Sequence, residues 1–176
     1  MSLKNLIENE FETLTKSDTL IKGLSLMDEY YIDVLPVLDK GKYLGLISNT
    51  DIVAFEKIHS PIFKHTNALE KVSIQYNATI FDAVKTFQKN RHSILPVVNK
   101  QNTYLGYITA SSFLDCFIEL LGIDSIGGIL EVEMLKKDFS MSKIIHILES
   151  NDALLISSFM SSTSDLNKIN ITLKLN

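Results

Sequence analysis

One stretch of this chain occurs twice. Leu35-Pro36-Val37-Leu38-Asp39 is matched by Leu95-Pro96-Val97-Val98-Asn99, and Tyr43-Leu44-Gly45-Leu46-Ile47-Ser48-Asn49-Thr50-Asp51 by Tyr104-Leu105-Gly106-Tyr107-Ile108-Thr109-Ala110-Ser111-Ser112. The prolines lie 60 residues apart and the glycines 61. A repeat of this length is one supersecondary unit, too small to bury its own apolar face, so the two copies must pack together.

The duplication extends upstream. Leu20, Leu24 and Met27 fall at i, i+4 and i+7, one face of a helix, with Ser17 as its N-cap. Ile80, Val84 and Phe87 repeat that stripe, with Asn77 in the capping place. Strands follow over residues 32–38 and 94–98. Proline cannot donate a ladder hydrogen bond, so Pro36 and Pro96 mark a bend or a sheet edge. Residues 39–42 and 99–103 suit hairpin turns. The second turn is one residue longer, which accounts for the change of offset. The returning strands, 43–47 and 104–108, each contain a glycine, the mark of a bulge or of a close approach by other atoms. Ser48 and Thr109 then open second helices, and the later one is apolar to about Leu121, with Gly122 as its cap.

The rest of the chain has no counterpart in the repeat. Residues 127–128 are a Gly-Gly break, 129–134 alternate as a strand, 141–150 form an amphipathic helix, and 154–160 and 169–175 are strands around a polar turn. At the other end, Leu3, Leu6, Ile7, Phe11 and Leu14 make residues 1–14 a short amphipathic, helical arm.

A duplicated helix–strand–strand–helix unit with Leu-Pro-Val before the hairpin and Gly-x-Ile-Ser/Thr after it resembles a tandem pair of CBS domains. The resemblance covers residues 12–122. It implies a mixed α+β fold, with repeat one and its arm over 1–65 and repeat two over 66–122. It also implies a regulatory module that binds an adenosine-containing ligand (AMP, ADP, ATP or S-adenosylmethionine) between the repeats, forms a homodimer and acts on a regulated enzyme. The ligand pattern falls on Gly45 to Asp51. There Asp51 can accept from both ribose hydroxyls, and Ser48 with the N–H groups of the helix start suits a phosphate. Backbone at Ile32, Val34 and Leu35 can receive an adenine beside Pro36. The second repeat keeps Thr109 but has Ser112 where the acid belongs, so one competent site is expected, and Arg91 and His92 can add positive charge toward a phosphate. Residues 127–176 resemble the first, incomplete part of an ACT-like domain, β-α-β-β. They lack the glycine of the amino-acid-binding loop, which reads Lys137-Asp138-Phe139-Ser140-Met141-Ser142. A CBS pair with such a tail is similar to the acetoin-utilisation protein B group.

Plainer readings stand beside these. Ser48 to Asp51 also fits a helix capping box. Arg91 and His92 follow a helix end, where cations suit the dipole. A structural dimerisation module without nucleotide is therefore the alternative function. Composition narrows the field further. A net charge of −4 with a single arginine gives no basic patch for nucleic acid. No apolar run reaches membrane-spanning length, and no signal peptide opens the chain. One cysteine, Cys116, fits a reducing cytoplasm and reads as core. The four histidines, His59, His65, His92 and His146, share no metal-ligand spacing. No nucleophile–base arrangement or transfer motif is present, so no catalytic residue, required cofactor or enzyme activity is expected.

Overall fold

The computed structural model describes residues 3–176. The chain divides into two compact units, the first ending at Phe113 and the second running from Leu114 to Asn176.

The first unit holds the duplication. Each repeat is a strand, a helix, a hairpin and a helix. Repeat one runs β1 (Leu14–Thr15), α1 (Leu20–Tyr30), β2 (Val34–Asp39), β3 (Lys42–Ser48) and α2 (Asn49–Ala54). Repeat two runs β4 (Ile74–Gln75), α3 (Ile80–Asn90), β5 (Ile94–Val98), β6 (Tyr104–Thr109) and α4 (Ala110–Leu121), which continues into the second unit. The short leading strands pair parallel with the first hairpin strand, giving sheets ordered β1-β2-β3 and β4-β5-β6.

Two sequence expectations need correcting, and a third is narrowed. The helix N-caps are Thr19 and Thr79, not Ser17 and Asn77, because each threonine hydroxyl accepts from an N–H of the first turn. The arm is not a helix: only Leu3–Leu6 forms a 3-10 turn, and Glu8 then pairs with Tyr107 as a β-bridge. Met1 and Ser2 lie outside the described residues. Of the two alternatives for Pro36 and Pro96, the sheet edge is excluded, since β2 and β5 are each the middle strand of three, and the bend is found, as an irregularity of register between Val37 and Leu38 and between Val97 and Val98.

Their tolerance there has a local cause. In an antiparallel ladder a residue either exchanges both backbone bonds with the one opposite or turns both away. Leu46, opposite Pro36, gives both to Glu70: Leu46 N lies 2.8 Å from Glu70 O, and Glu70 N 2.9 Å from Leu46 O. Tyr107, opposite Pro96, gives both to Glu8, at 3.0 and 2.8 Å. The prolines therefore sit where β3 and β6 ask for no donor.

These same bonds interlock the repeats. The segment ahead of repeat one crosses the sheet of repeat two, and the segment ahead of repeat two crosses the sheet of repeat one. Each crossing lies over a strand glycine. A Cβ on Gly45 would stand 2.9 Å from Glu70 O, and one on Gly106 only 2.4 Å from Glu8 O. The hairpin tips join as well, with Tyr43 N donating to Asn102 O at 3.0 Å and Tyr104 N to Gly41 O at 3.1 Å.

Repeat one has a dry core of Leu14, Leu20, Leu35, Ile47, Ile52 and Ile62, all fully buried. Trimming any one of these to alanine is worth ~2–5 kcal/mol. A second cluster, with Val34, Leu46, Ile94 and Tyr107, is shared by the repeats. The stripe of α1 is buried as its spacing predicts, with Leu20 and Met27 in the core and Leu24 packed against it, but that of α3 is less so. In α3 only Ile80 and Ala83 are buried, while Val84 and Phe81 face solvent.

The second unit follows the expected β-α-β-β order: β7 (Ile129–Leu135), α5 (Met141–Glu149), β8 (Leu155–Ser162) and β9 (Lys168–Leu175). Its sheet runs β7-β9-β8, with β9 antiparallel to both neighbours. The two strands joined by α5 are thus split by the third, a split β-α-β arrangement. Ile171 and Leu173 of β9 and Leu148 of α5 form its buried centre.

Candidate functional site

The strand β2 delivers Val34, Leu35 and Pro36, all buried, and pairs Val34 with Ser48 at the end of β3. Ile32, half-buried, precedes the strand. The fold therefore gathers Ile32, Val34, Ser48 and Asp51 at one end of the first sheet.

Ser48 is 8% exposed. Its Oγ accepts from Asp51 N at 3.0 Å, lies 2.5 Å from Asp51 Oδ2, and contacts Thr50 Oγ1 at 2.9 Å. The hydroxyl proton thus goes to the Asp51 carboxylate, which is half-buried. The other oxygen, Oδ1, has no hydrogen bond from the described residues. The helix that follows, α2, spans only six residues. Its dipole is short, and one of its free N–H groups is already taken by Ser48.

The corresponding end of repeat two is built differently. Thr109 Oγ1 accepts from Ser112 N at 3.1 Å. Its own proton has two acceptors, Ser112 Oγ at 2.7 Å and Glu8 Oε1 at 3.3 Å. The acid missing at position 112 is thus replaced by one carried on the arm. Tyr104 adds a second asymmetry. Tyr43 donates its hydroxyl to Val72 O at 2.5 Å, whereas the buried hydroxyl of its counterpart Tyr104 has no partner among the described residues.

The two ends meet at Asp33 and Ser93. Ser93 N donates to Asp33 Oδ1 at 2.9 Å, and the Ser93 hydroxyl donates to the same oxygen. Burial pushes the Asp33 carboxyl up, but the bonds from Ser93, with His92 nearby, outweigh it and hold it below the usual carboxylate range. Asp33 O also accepts Asn49 N at 2.9 Å, and Ser93 O accepts Ala110 N at 2.8 Å. The same residue position thus ties each hairpin to the helix after it.

His92 lies in this junction and Arg91 does not. The ring of His92 is nearly enclosed, with Nε2 3.0 Å from Glu70 Oε2 and Nδ1 3.7 Å from Asp33 Oδ2. Both nitrogens face carboxylates of the chain itself. Arg91 is exposed and caps α3 in the left-handed conformation at φ 60°. Glu8, Asp33, Glu70 and Ser93 escaped the sequence reading. The signal available was the strand glycine, whose missing side chain marked where Glu8 and Glu70 cross.

A groove of about 790 Å³ opens beside this site, between α1 and α2, lined by Leu24, Met27, Asp28, Tyr31, Thr50 and Val53 among others. Of the sequence-predicted residues it includes only Ile32. Among the described residues no helix is long and apolar enough to cross a membrane, and no group of three or more His, Cys, Asp or Glu side chains is placed to hold a metal ion.

A profile of the CBS domain matches residues 3–57 and again 68–119. The chain belongs to the CBS-domain family. CBS pairs are generally regulatory, ligand-sensing modules. An uncharacterised protein of Methanocaldococcus jannaschii is 31% identical over 106 residues, which span 60% of this chain and 36% of that protein. The chain thus covers about a third of that relative's length. A CBS domain pair/ACT domain protein from Thermotoga maritima superposes with a TM-score of 0.62 at 23% identity, over 69% of this chain and 99% of that one. A protein assigned to acetoin utilization in Vibrio cholerae (AcuB) gives 0.59 at 25% identity, over 73% and 98%. CBSX2, solved in complex with AMP, gives 0.55 at 16% identity, over 68% and 97%.

Proposed function

We propose that this CBS pair binds one adenosine-containing nucleotide, of the AMP, ADP, ATP or S-adenosylmethionine class, at the end of the first repeat. The observation that carries the reading is the hydroxyl–carboxylate pair Ser48–Asp51 beside Ile32, Val34, Leu35 and Pro36. Asp51 Oδ1 is left to accept from a ribose hydroxyl, while Oδ2 stays with Ser48. The AMP complex of CBSX2 supports the ligand class. Arg91 is the exposed cation assigned to a phosphate. His92, already between two carboxylates, acts by holding Asp33 and Glu70 in place. Thr109 and Ser112 form a weaker second position, since the Glu8 carboxylate beside them repels an anion.

In this reading the module is a cytoplasmic homodimer that transmits ligand binding to a regulated enzyme. Calorimetric titration with the four ligands tests it. The expected result is one site per chain, lost in Asp51→Ala. No heat from any ligand would overturn the nucleotide reading, and unchanged binding by Asp51→Ala would overturn the residue assignment.

One observation favours a second reading. Ser48 also caps α2, its Oγ accepting from Asp51 N, and Thr109 accepts from Ser112 N in the same way while Glu8 takes its proton, so both helix starts have partners within the chain. A structural dimerisation module would show that arrangement with no ligand. The same titration separates the two readings.

A further inference from the structure

A smaller cavity, of about 290 Å³, lies on the flank of repeat two, between α3 and the segment that leads from the Glu70 crossing into β4. Lys71 and Ser73 line it from the segment, and Lys85, Thr86, Lys89 and Asn90 from the helix. It shares no residue with the nucleotide site proposed above, so neither reading depends on the other. Its volume is at the lower end of the range for ligand pockets, roughly 300–1,000 Å³, and suits a compact ligand.

Three of the 17 lysine and arginine residues of an acidic chain converge here, and no carboxylate lines the cavity. Lys85 and Lys89, one turn apart on α3, repel each other. Lys89 stands in the last turn, where the helix dipole favours a cation, but Lys85 lies a turn earlier. None of the three lysines forms an ion pair among the described residues. Asp82, one turn before Lys85, has its Oδ2 taken by Thr79. Lys71 is anchored by donating one of its three protons to Leu44 O, which leaves two. The half-buried Ser73 hydroxyl has no hydrogen bond among the described residues.

The equivalent place in repeat one has the opposite character. There the segment after the crossing is two residues longer, 9–13 against 71–73, and it brings in Phe11, which stacks on Tyr30 with ring centroids 4.8 Å apart. Tyr30 corresponds to Asn90, and Glu29 to Lys89. Repeat two thus leaves open, and lines with cations, the space that an aromatic pair takes in repeat one. We propose that this cavity binds a compact polyphosphate anion, a pyrophosphate or triphosphate group, either free or at the end of a nucleotide. Lysine ammonium groups hold phosphate oxygens as point charges, and an anion lying between Lys85 and Lys89 relieves their repulsion. Lys71 closes the site from the other wall, and the Ser73 hydroxyl adds a neutral donor.

Calorimetric titration of the full chain with sodium pyrophosphate and sodium triphosphate, in buffer without divalent cations, tests this. The expected result is saturable binding at one site per chain. Lys85→Gln with Lys89→Gln should weaken it about tenfold or more. Lys57→Gln with Lys64→Gln, exposed lysines of repeat one with the same change of net charge, should leave it unchanged. No saturable binding overturns the site, and so does equal weakening by the two double variants, which would show a response to net charge alone. Neither probe contains adenosine, so failure here leaves the nucleotide reading standing, and failure of that reading leaves this site standing. ATP titrated into the triphosphate complex of Asp51→Ala finds the source of the anion. Displacement assigns it to a nucleotide tail and no displacement to a free polyphosphate, and both results support the site. Circular dichroism of each variant confirms that it is folded.

Discussion

Asp33 and Ser93 hold the same place in the two repeats and bond directly to each other, with two donors of Ser93 converging on one carboxylate oxygen of Asp33. A duplicated fold brings equivalent residues together at its pseudo-twofold axis, where two identical carboxylates would repel. The difference in sequence at this position is what lets the two ends touch.

Removing that acceptor leaves the Ser93 N–H without its partner at the junction. Asp33→Ala should lower stability by ~1–2 kcal/mol, the lower part of the range for bonds to a charged group because the carboxylate stays partly solvated. Ser93→Ala, which keeps the backbone donor, should cost less. Urea denaturation of both variants gives the comparison.

The same carboxyl sets a pH dependence. Its folded pKa lies below the ordinary value of 3.8. Its contribution is therefore fully present above that value and is lost as pH falls through the folded pKa. Between ~pH 4 and ~pH 2 the stability of Asp33→Asn should fall less steeply than that of wild type. Equal slopes in acid denaturation series would show that the junction bond does not depend on ionised Asp33.

Gly106 has a φ of +134°, and a Cβ there would meet the Glu8 carbonyl. Gly106→Ala should cost ~2–4 kcal/mol and release the arm, seen as faster amide exchange at Glu8. Gly41, at φ +77° with nothing within 4 Å, should cost only ~1–2 kcal/mol on the same substitution. Thermal unfolding of the pair separates backbone strain from the crossing contact.

Ser48→Ala removes the cap of α2 and the proton held by Asp51. A stability loss of ~1 kcal/mol is expected from the cap. If the nucleotide reading holds, affinity should fall by more than that cap explains, by about tenfold or beyond. Calorimetry and urea denaturation on one preparation distinguish the two effects.

Much of this was legible in the residues. The Leu-Pro-Val and Gly-x-Ile pairs located both hairpins, because turn chemistry and alternation are local. Gly45 and Gly106 were read as bulge or close-approach sites, and each lies under a carbonyl of a crossing segment. The crossings themselves were not legible, since Glu8 and Glu70 sit in stretches with no period and pair through a single residue. The two-residue strands β1 and β4 were missed for the same reason. The caps moved from Ser17 to Thr19 and from Asn77 to Thr79 because several polar residues precede each helix and only the backbone angles decide among them. For His92 the residues suggest positive charge toward a phosphate, and no local pattern announces that Asp33 and Glu70, distant in sequence, stand beside its two ring nitrogens.

The crossing of the arm over the opposite sheet also sets an order of events during synthesis. Glu8 is made before its partner Tyr107, which follows 99 residues later. At ~5–20 residues per second the arm waits roughly 5–20 s with Leu3, Ile7 and Phe11 unsheltered. Repeat one reaches its own crossing sooner, once Glu70 emerges. The nascent chain should therefore pass through a stage with its first sheet closed and its arm open, the stage at which a chaperone or a protease would find it.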